Sequence, residues 1–159
     1  MDDKLKKYLE IKAVEYKEYV HKPVFTVAES RELKKLIPGL HCKCLFLKSD
    51  AEKFYLVGMP AEKKLDIKKL REKIGAKKLH FASEGELFDK LKLKPGSVSI
   101  FGMINNSDRD VILIIDKLVW DAEYVCFHPN VNTSTLVISH VALERFYNSL
   151  VNDRYIIGL

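Results

Sequence analysis

A mixed α+β fold is predicted by three observations. Stretches alternating apolar and polar residues recur between residues 14 and 139, stretches with helical spacing and cap signals lie between them, and no linker, repeat or low-complexity tract divides the chain. The expectation is about seven strands in a largely antiparallel sheet with several short helices, residues 1–159 forming one domain.

The elements follow in order. In DDKLKKYLE, Asp2 or Asp3 is an N-cap candidate, and Leu5, Tyr8 and Leu9 recur at helical spacing. Val14 and Tyr16 begin an alternation that ends before Lys22-Pro23, read as a strand. Thr26 and Glu29 form a capping box opening a helix through Leu36, and Pro38-Gly39 stops it. From 42 to 47 alternation sets Cys42, Cys44 and Phe46 on one face and Lys43, Leu45 and Leu47 on the other. SDAEK turns the chain, and FYLVGM, 54–59, is its expected antiparallel partner. Asp66 caps a basic helix ending at Gly75, and Ser83 with Glu86 caps another running to about Leu91. After the turn Lys94-Pro95-Gly96, residues 97–104 and 111–116 flank NNSDRD as an expected antiparallel hairpin. Residues 123–127 and 133–139 read as further strands. Ser139 can cap a last helix that turns Leu143, Phe146 and Leu150 inward.

Composition bounds the class. Apolar residues at 47% and charged ones at 31% are the balance of a globular chain rather than a disordered one. No apolar run reaches the ~18 residues of a membrane span, and MDDKLKKYLE lacks the apolar core of a signal peptide, so a cytoplasmic protein without membrane contact is expected. Cys42, Cys44 and Cys126 contain no C-x-x-C spacing and fit reduced thiols. The net charge of +5 is uneven: residues 1–94 carry 23 Lys and Arg against 15 Asp and Glu, whereas 95–159 carry 4 against 7. A basic surplus of this kind suits a polyanion such as RNA, and equally suits lysines that merely solvate helix faces.

Several residues are candidates for chemistry. Lys43 shares its face with Leu45 and Leu47 where a strand enters the core, so its ammonium needs an anion, a dipole or water; a lysine snorkelling from a strand end meets the same need. Cys42 and Cys44 lie ~6.6–6.8 Å apart along the strand, but a tetrahedral zinc would need ligands the segment does not supply, and neither a metal nor a cofactor is expected. In PGSVSIFGMIN, Gly96 and Gly102 allow close backbone approach, although the segment lacks nucleotide-phosphate spacing and also reads as a hairpin with a glycine bulge. In CFHPNVNT, His128 stands just beyond a strand, fixed by Pro129. No Ser-His-Asp order, H-E-x-x-H or paired-carboxylate motif is present.

Taken in sequence, KPVFTVAES, CKCLFLKSD, KKLHFASEGEL, LKPGSVSIFGMIN and FHPNVNTSTLVIS resemble the successive blocks of the YbaK/ProX family of aminoacyl-tRNA deacylases, related to the editing insertion of bacterial prolyl-tRNA synthetases. The resemblance covers roughly residues 3–150 and is closer to the ProX branch, which implies removal of alanine from proline tRNA. The alternatives are Cys-tRNA(Pro) or another mischarged tRNA as substrate, or a noncatalytic module of the same fold that binds tRNA or a synthetase. The family's functional lysine falls on Lys43 and its F-H-P histidine on His128, which makes these the expected catalytic residues. Its glycine loop falls on Gly96, Ser97, Val98, Ile100, Phe101 and Gly102, implied with Cys44 to bind the substrate, and Leu45 and Met103 are further candidates for the wall of the amino-acid pocket. The implied partners are the acceptor 3′ end of aminoacyl-tRNA and a prolyl-tRNA synthetase. Two positions depart from the family: Cys44 stands where asparagine is common, removing a side-chain hydrogen bond, and Ile100 stands where a proline usually closes the loop.

Overall fold

The computed structural model describes residues 1–24 and 26–159; Phe25, part of the first family-like block, lies outside the described residues. Helix α1, Asp3–Ile11, starts on Asp2, whose carboxylate accepts from the Leu5 N–H at 2.7 Å. Strand β1, Lys17–Val20, precedes helix α2, Val27–Leu36, whose N-terminus carries the expected Thr26/Glu29 capping box. Strands β2, Leu40–Ser49, and β3, Phe54–Pro60, form the expected antiparallel pair. Helices α3, Ile67–Ile74, and α4, Glu84–Leu91, start on Asp66 and Ser83 as predicted, with strand β4, Leu79–Phe81, between them.

The order continues with a 3-10 helix, Ile100–Asn105, and strand β5, Val111–Asp116. Then come α5, Lys117–Trp120, β6, Tyr124–Phe127, β7, Ser134–Ser139, α6, His140–Ser149, and β8, Arg154–Ile157. Among the described residues the strands make one eight-stranded sheet in the order β1-β7-β6-β2-β3-β5-β8, with β4 pairing β2. The mixed α+β class holds. Three of the pairings, β2 with β6, β3 with β5 and β5 with β8, are parallel.

Residues 97–104 are not a strand, so the expected hairpin with 111–116 does not form. Ile100, Phe101, Gly102 and Met103 are four consecutive buried residues, a pattern that a half-buried strand cannot produce and a buried helical turn can. Ser99 caps that turn by accepting from the Phe101 N–H at 3.3 Å. The short β4 and terminal β8 were not foreseen; each has only three or four residues, and β8 shows no clean alternation of burial.

The sheet is covered on both faces. On one, α1, α4, the 3-10 helix and α6 bury Leu5, Leu9, Leu91, Phe101 and Phe146 against β3, β5 and β7. On the other, Leu70 of α3 packs with Leu47, Val57 and Ile114. Alternation along β2 decides which side chain meets which layer: Cys42, Cys44 and Phe46 face the first, Leu45 and Leu47 the second. No helix among the described residues is long and apolar enough to cross a membrane.

Candidate functional site: a two-lobed cleft at a split in the sheet

Strand β2 is paired with β3 from Cys42 to Lys48. On its other edge it meets β6 only at Leu40 and His41, and β4 only from Leu47 to Ser49. Among the described residues no strand pairs with that edge between Cys42 and Leu45. The Ala61 N–H donates to His41 C=O and the Ser49 N–H to Lys53 C=O, which turns the peptide groups of odd-numbered residues toward β3 and those of even-numbered residues outward. Ala82 N–H accordingly reaches Phe46 C=O at 3.0 Å. The N–H and C=O of Cys44 therefore point into the gap.

A cleft occupies this gap and has two lobes. The larger, about 300 Å³, is lined by Ser30, Leu33 and Lys34 of α2, by His41, Cys42 and Lys43 of β2, and by Cys126, Phe127 and His128 where β6 ends. The smaller, about 230 Å³, is lined by Cys42, Lys43, Cys44, Gly96, Val98, Phe127 and His128. Lys43 and His128 line both lobes and mark where they join. The Lys43 ammonium forms no hydrogen bond or ion pair with any described residue. A half-buried cation at the neck of a cleft, with no internal counter-ion bound to it, is available to an anion from outside.

His128 is fixed in one tautomer. Its Nδ1 stands 2.9 Å from the Ser134 carbonyl, which can only accept, so Nδ1 carries the hydrogen. Burial, aided by the nearby His21 and His41, holds its pKa below the usual 6.5, so the ring is neutral at neutral pH and Nε2 offers a lone pair. Asn130, two residues on, takes the left-handed conformation that asparagine tolerates, at φ 63°, and lets the chain turn back into β7.

The thiols are set for packing. Burial pushes Cys44 and Cys126 up to about 12 and raises Cys42 as well. The Ile100 N–H faces the Cys44 sulfur, and Cys126 donates to Pro38 C=O. Protonated thiols are poor nucleophiles. Among the described residues no group of His, Cys, Asp or Glu is arranged to hold a metal.

Of the residues singled out from sequence, Lys43, Cys44, Gly96, Val98 and His128 come together at the cleft. Ser97 is half-buried between Gly96 and Val98. Gly96, at φ 85°, is the third residue of a turn closed by the Ser97 N–H on Lys94 C=O at 3.1 Å, and the left-handed conformation is what requires glycine there. Ile100, Phe101 and Gly102 do not reach the cleft: they are core residues of the 3-10 helix, as is Met103, and Leu45 faces the opposite layer. The face formed by Ser30, Leu33 and Lys34 escaped the sequence reading, because the capping box located α2 without showing where its sides point.

Lys43, the Gly96 turn and His128, which fall in three separate family-like blocks, border one cleft. The aminoacyl-tRNA editing domain family model matches residues 21–146. The chain belongs to that family of aminoacyl-tRNA deacylases. Among curated proteins it is 38% identical over 126 residues to the prolyl-tRNA editing protein ProX of Acetoanaerobium sticklandii, covering 79% of this chain and 77% of that one. It is 31% identical to the prolyl-tRNA synthetase associated domain-containing protein 1 of Xenopus laevis, over 86% and 84% of the two chains. Two solved structures share the fold. One is the hypothetical protein APE2540, with a TM-score of 0.76, 20% identity and 95% and 98% of the chains covered. The other is described as a candidate trans-editing enzyme for prolyl tRNA synthetase, with a TM-score of 0.76, 14% identity and 100% and 98% covered.

Proposed function

We propose that the protein hydrolyses mischarged tRNA(Pro) in trans, and that alanine is the amino acid it removes. The observation that carries this reading is the position of Lys43 at the neck between two lobes, each also bordered by His128. In this reading the smaller lobe takes the aminoacyl ester and the larger one the nucleotide portion. Lys43 then lies where the phosphate of the terminal nucleotide would pass, as a compact point charge rather than a planar fork.

The ester joining an amino acid to ribose is reactive enough that positioning supplies much of the catalysis. The Cys44 N–H, pointing into the gap, supplies a donor to the ester carbonyl as negative charge develops on its oxygen. His128 Nε2 accepts a hydrogen bond from the attacking water or from the neighbouring ribose hydroxyl. No covalent acyl-cysteine is formed, because the three thiols are protonated.

The relative named a prolyl-tRNA editing protein supports the tRNA(Pro) assignment, and the smaller lobe, about 230 Å³, is the one assigned to the amino acid. That lobe has to hold the ester, the α-amino group and part of the ribose as well as the side chain. A synthetase pocket for proline cannot strongly reject a smaller residue, since a methylene is worth only about 1–3 kcal/mol, whereas a second, tighter site can exclude the larger one. The decisive experiment is deacylation of Ala-, Cys-, Ser- and Pro-tRNA(Pro) by the purified protein. Fastest release of alanine with Pro-tRNA(Pro) left intact is expected. Preferential release of cysteine would overturn the alanine assignment, and inertness toward all four would overturn the deacylase reading.

A further inference from the structure

At the rim of the larger lobe, Lys34 of α2 does not stand free. Its Nζ lies 2.5 Å from Oε1 of Glu62, which follows the end of β3. The pair is asymmetric: the Lys34 side chain is 27% exposed and lines the lobe, whereas that of Glu62 is 83% exposed and reaches in from solvent. Arg31, one turn before Lys34 on the helix, and Lys43 both act on the same carboxylate, and together with Lys34 they hold its pKa below the usual range. One exposed carboxylate thus faces three cations on two elements, and two of those cations line the cleft. Lys35, the next residue on α2, is paired separately with Glu32.

We propose that Glu62 is a displaceable counter-ion: the Lys34–Glu62 pair closes the rim of the larger lobe, and a backbone phosphate of the single-stranded tRNA 3′ end replaces the carboxylate on Lys34, with Arg31 beside it. The proposal rests on the functional reading above and adds a second phosphate subsite to the one at Lys43. The exchange is chemically matched, because a phosphodiester carries the same single charge as the carboxylate it displaces and presents two oxygens to the cations. An exposed ion pair is held weakly enough for such an exchange. The carboxylate also discriminates, since an anion that cannot reach both Lys43 and Lys34 gains little by displacing it.

The test is Glu62→Gln against the wild type on an alanylated acceptor-stem minihelix ending in CCA, with Lys34→Gln and the double variant as controls. With the competitor removed, KM is expected to fall about twofold to fivefold without loss of kcat. Lys34→Gln should raise KM and flatten the dependence of log KM on log salt by about 0.7, the effect of one phosphate contact on a single strand. In the Lys34→Gln background the Glu62 substitution should lower KM by clearly less, what remains acting through Arg31 and Lys43. An unchanged KM in Glu62→Gln, or an equal gain with and without Lys34, overturns the counter-ion role. Anisotropy titration with the uncharged minihelix separates this failure from failure of the deacylase reading: tighter binding by Glu62→Gln is expected whether or not the ester is cleaved, and unchanged binding overturns the proposal.

Discussion

Lys43 is a residue that packing alone would not place. Its neighbours on the same face of β2, Leu45 and Leu47, enter an apolar layer, and a methylene-rich side chain with an apolar head would fit that layer at lower desolvation cost. Its value is the charge at the neck of the cleft. Lys43→Ala is expected to lower kcat/KM for an alanyl ester about 30-fold or more while leaving the circular dichroism spectrum unchanged, as suits the loss of a contact between charged groups. For His128 the sign follows from its lowered pKa. In the proposed role the neutral ring accepts the hydrogen bond, so kcat/KM should be flat with respect to this group above pH 6.5 and fall as the pH drops through a midpoint below that value. Its stability contribution has the same direction, complete above pH 6.5 and lost as the pH falls through the folded value. A pH–rate profile with an acid limb centred above 6.5, or one identical in His128→Ala, would contradict this role. Both residues were legible in the sequence: alternation set Lys43 apart from Cys42 and Cys44, and Pro129 marked His128 as a loop residue. Glu62 and Lys34 were not, because an ion pair across 28 positions leaves no local pattern.

At the scale of elements, the segment from Gly96 to Asn105 joins two kinds of work. Its first residues bend around the smaller lobe, and its later ones anchor the bend in the core. Gly102 is needed for the anchor rather than for a ligand: a Cβ there would lie 2.5 Å from Leu93 Cδ1 and 3.2 Å from Cγ, and Leu93 is itself buried. Gly102→Ala should therefore destabilise the fold by about 1–3 kcal/mol, read as a lower urea midpoint with an unchanged slope. Sequence reading placed Gly96 and Val98 at the candidate site, where they lie, but also Ile100, Phe101 and Gly102, which do not, and it did not foresee the conformation. SVSIFGMI satisfies strand alternation over its first residues, and the run Ile100–Met103 would be buried in a central strand or a helix alike; the Gly102 N–H on Ser99 C=O at 3.0 Å makes it a 3-10 turn. The capped helices were read correctly for the opposite reason. Thr26 with Glu29 and Ser83 with Glu86 close their hydrogen bonds within three residues, so the signal and the structure are both local.

Across the whole molecule, the parallel pairings were beyond local reading. Between β3 and its parallel partner β5 the chain passes through α3, β4, α4 and the 3-10 helix, and nothing in 54–60 or 111–116 records which edge will be chosen. The choice is held in place by buried polar contacts. Asn106 accepts from the Val111 N–H at 3.0 Å and from Asn152 at 2.9 Å, tying the start of β5 to the approach to β8. Asp116, fully buried at the end of β5, accepts from Lys63 at 2.9 Å and caps α5 through the Leu118 N–H. Removing that carboxylate deletes the partner of the half-buried Lys63 and the cap of α5, so Asp116→Ala should cost about 1–3 kcal/mol, measurable by thermal or urea unfolding. A loss below 0.5 kcal/mol would mean that the pair does not secure the crossover.

The interruption in hydrogen bonding along β2 has a consequence for solubility. Bare strand borders usually lie at the perimeter, where a second chain can zip onto them and start aggregation. Here the bare stretch is short and interior, fenced by β6 below and β4 above, so an invading polypeptide has no room to lie alongside it. The protein thereby exposes backbone amides at its cleft without offering the long open edge on which its own copies could pair.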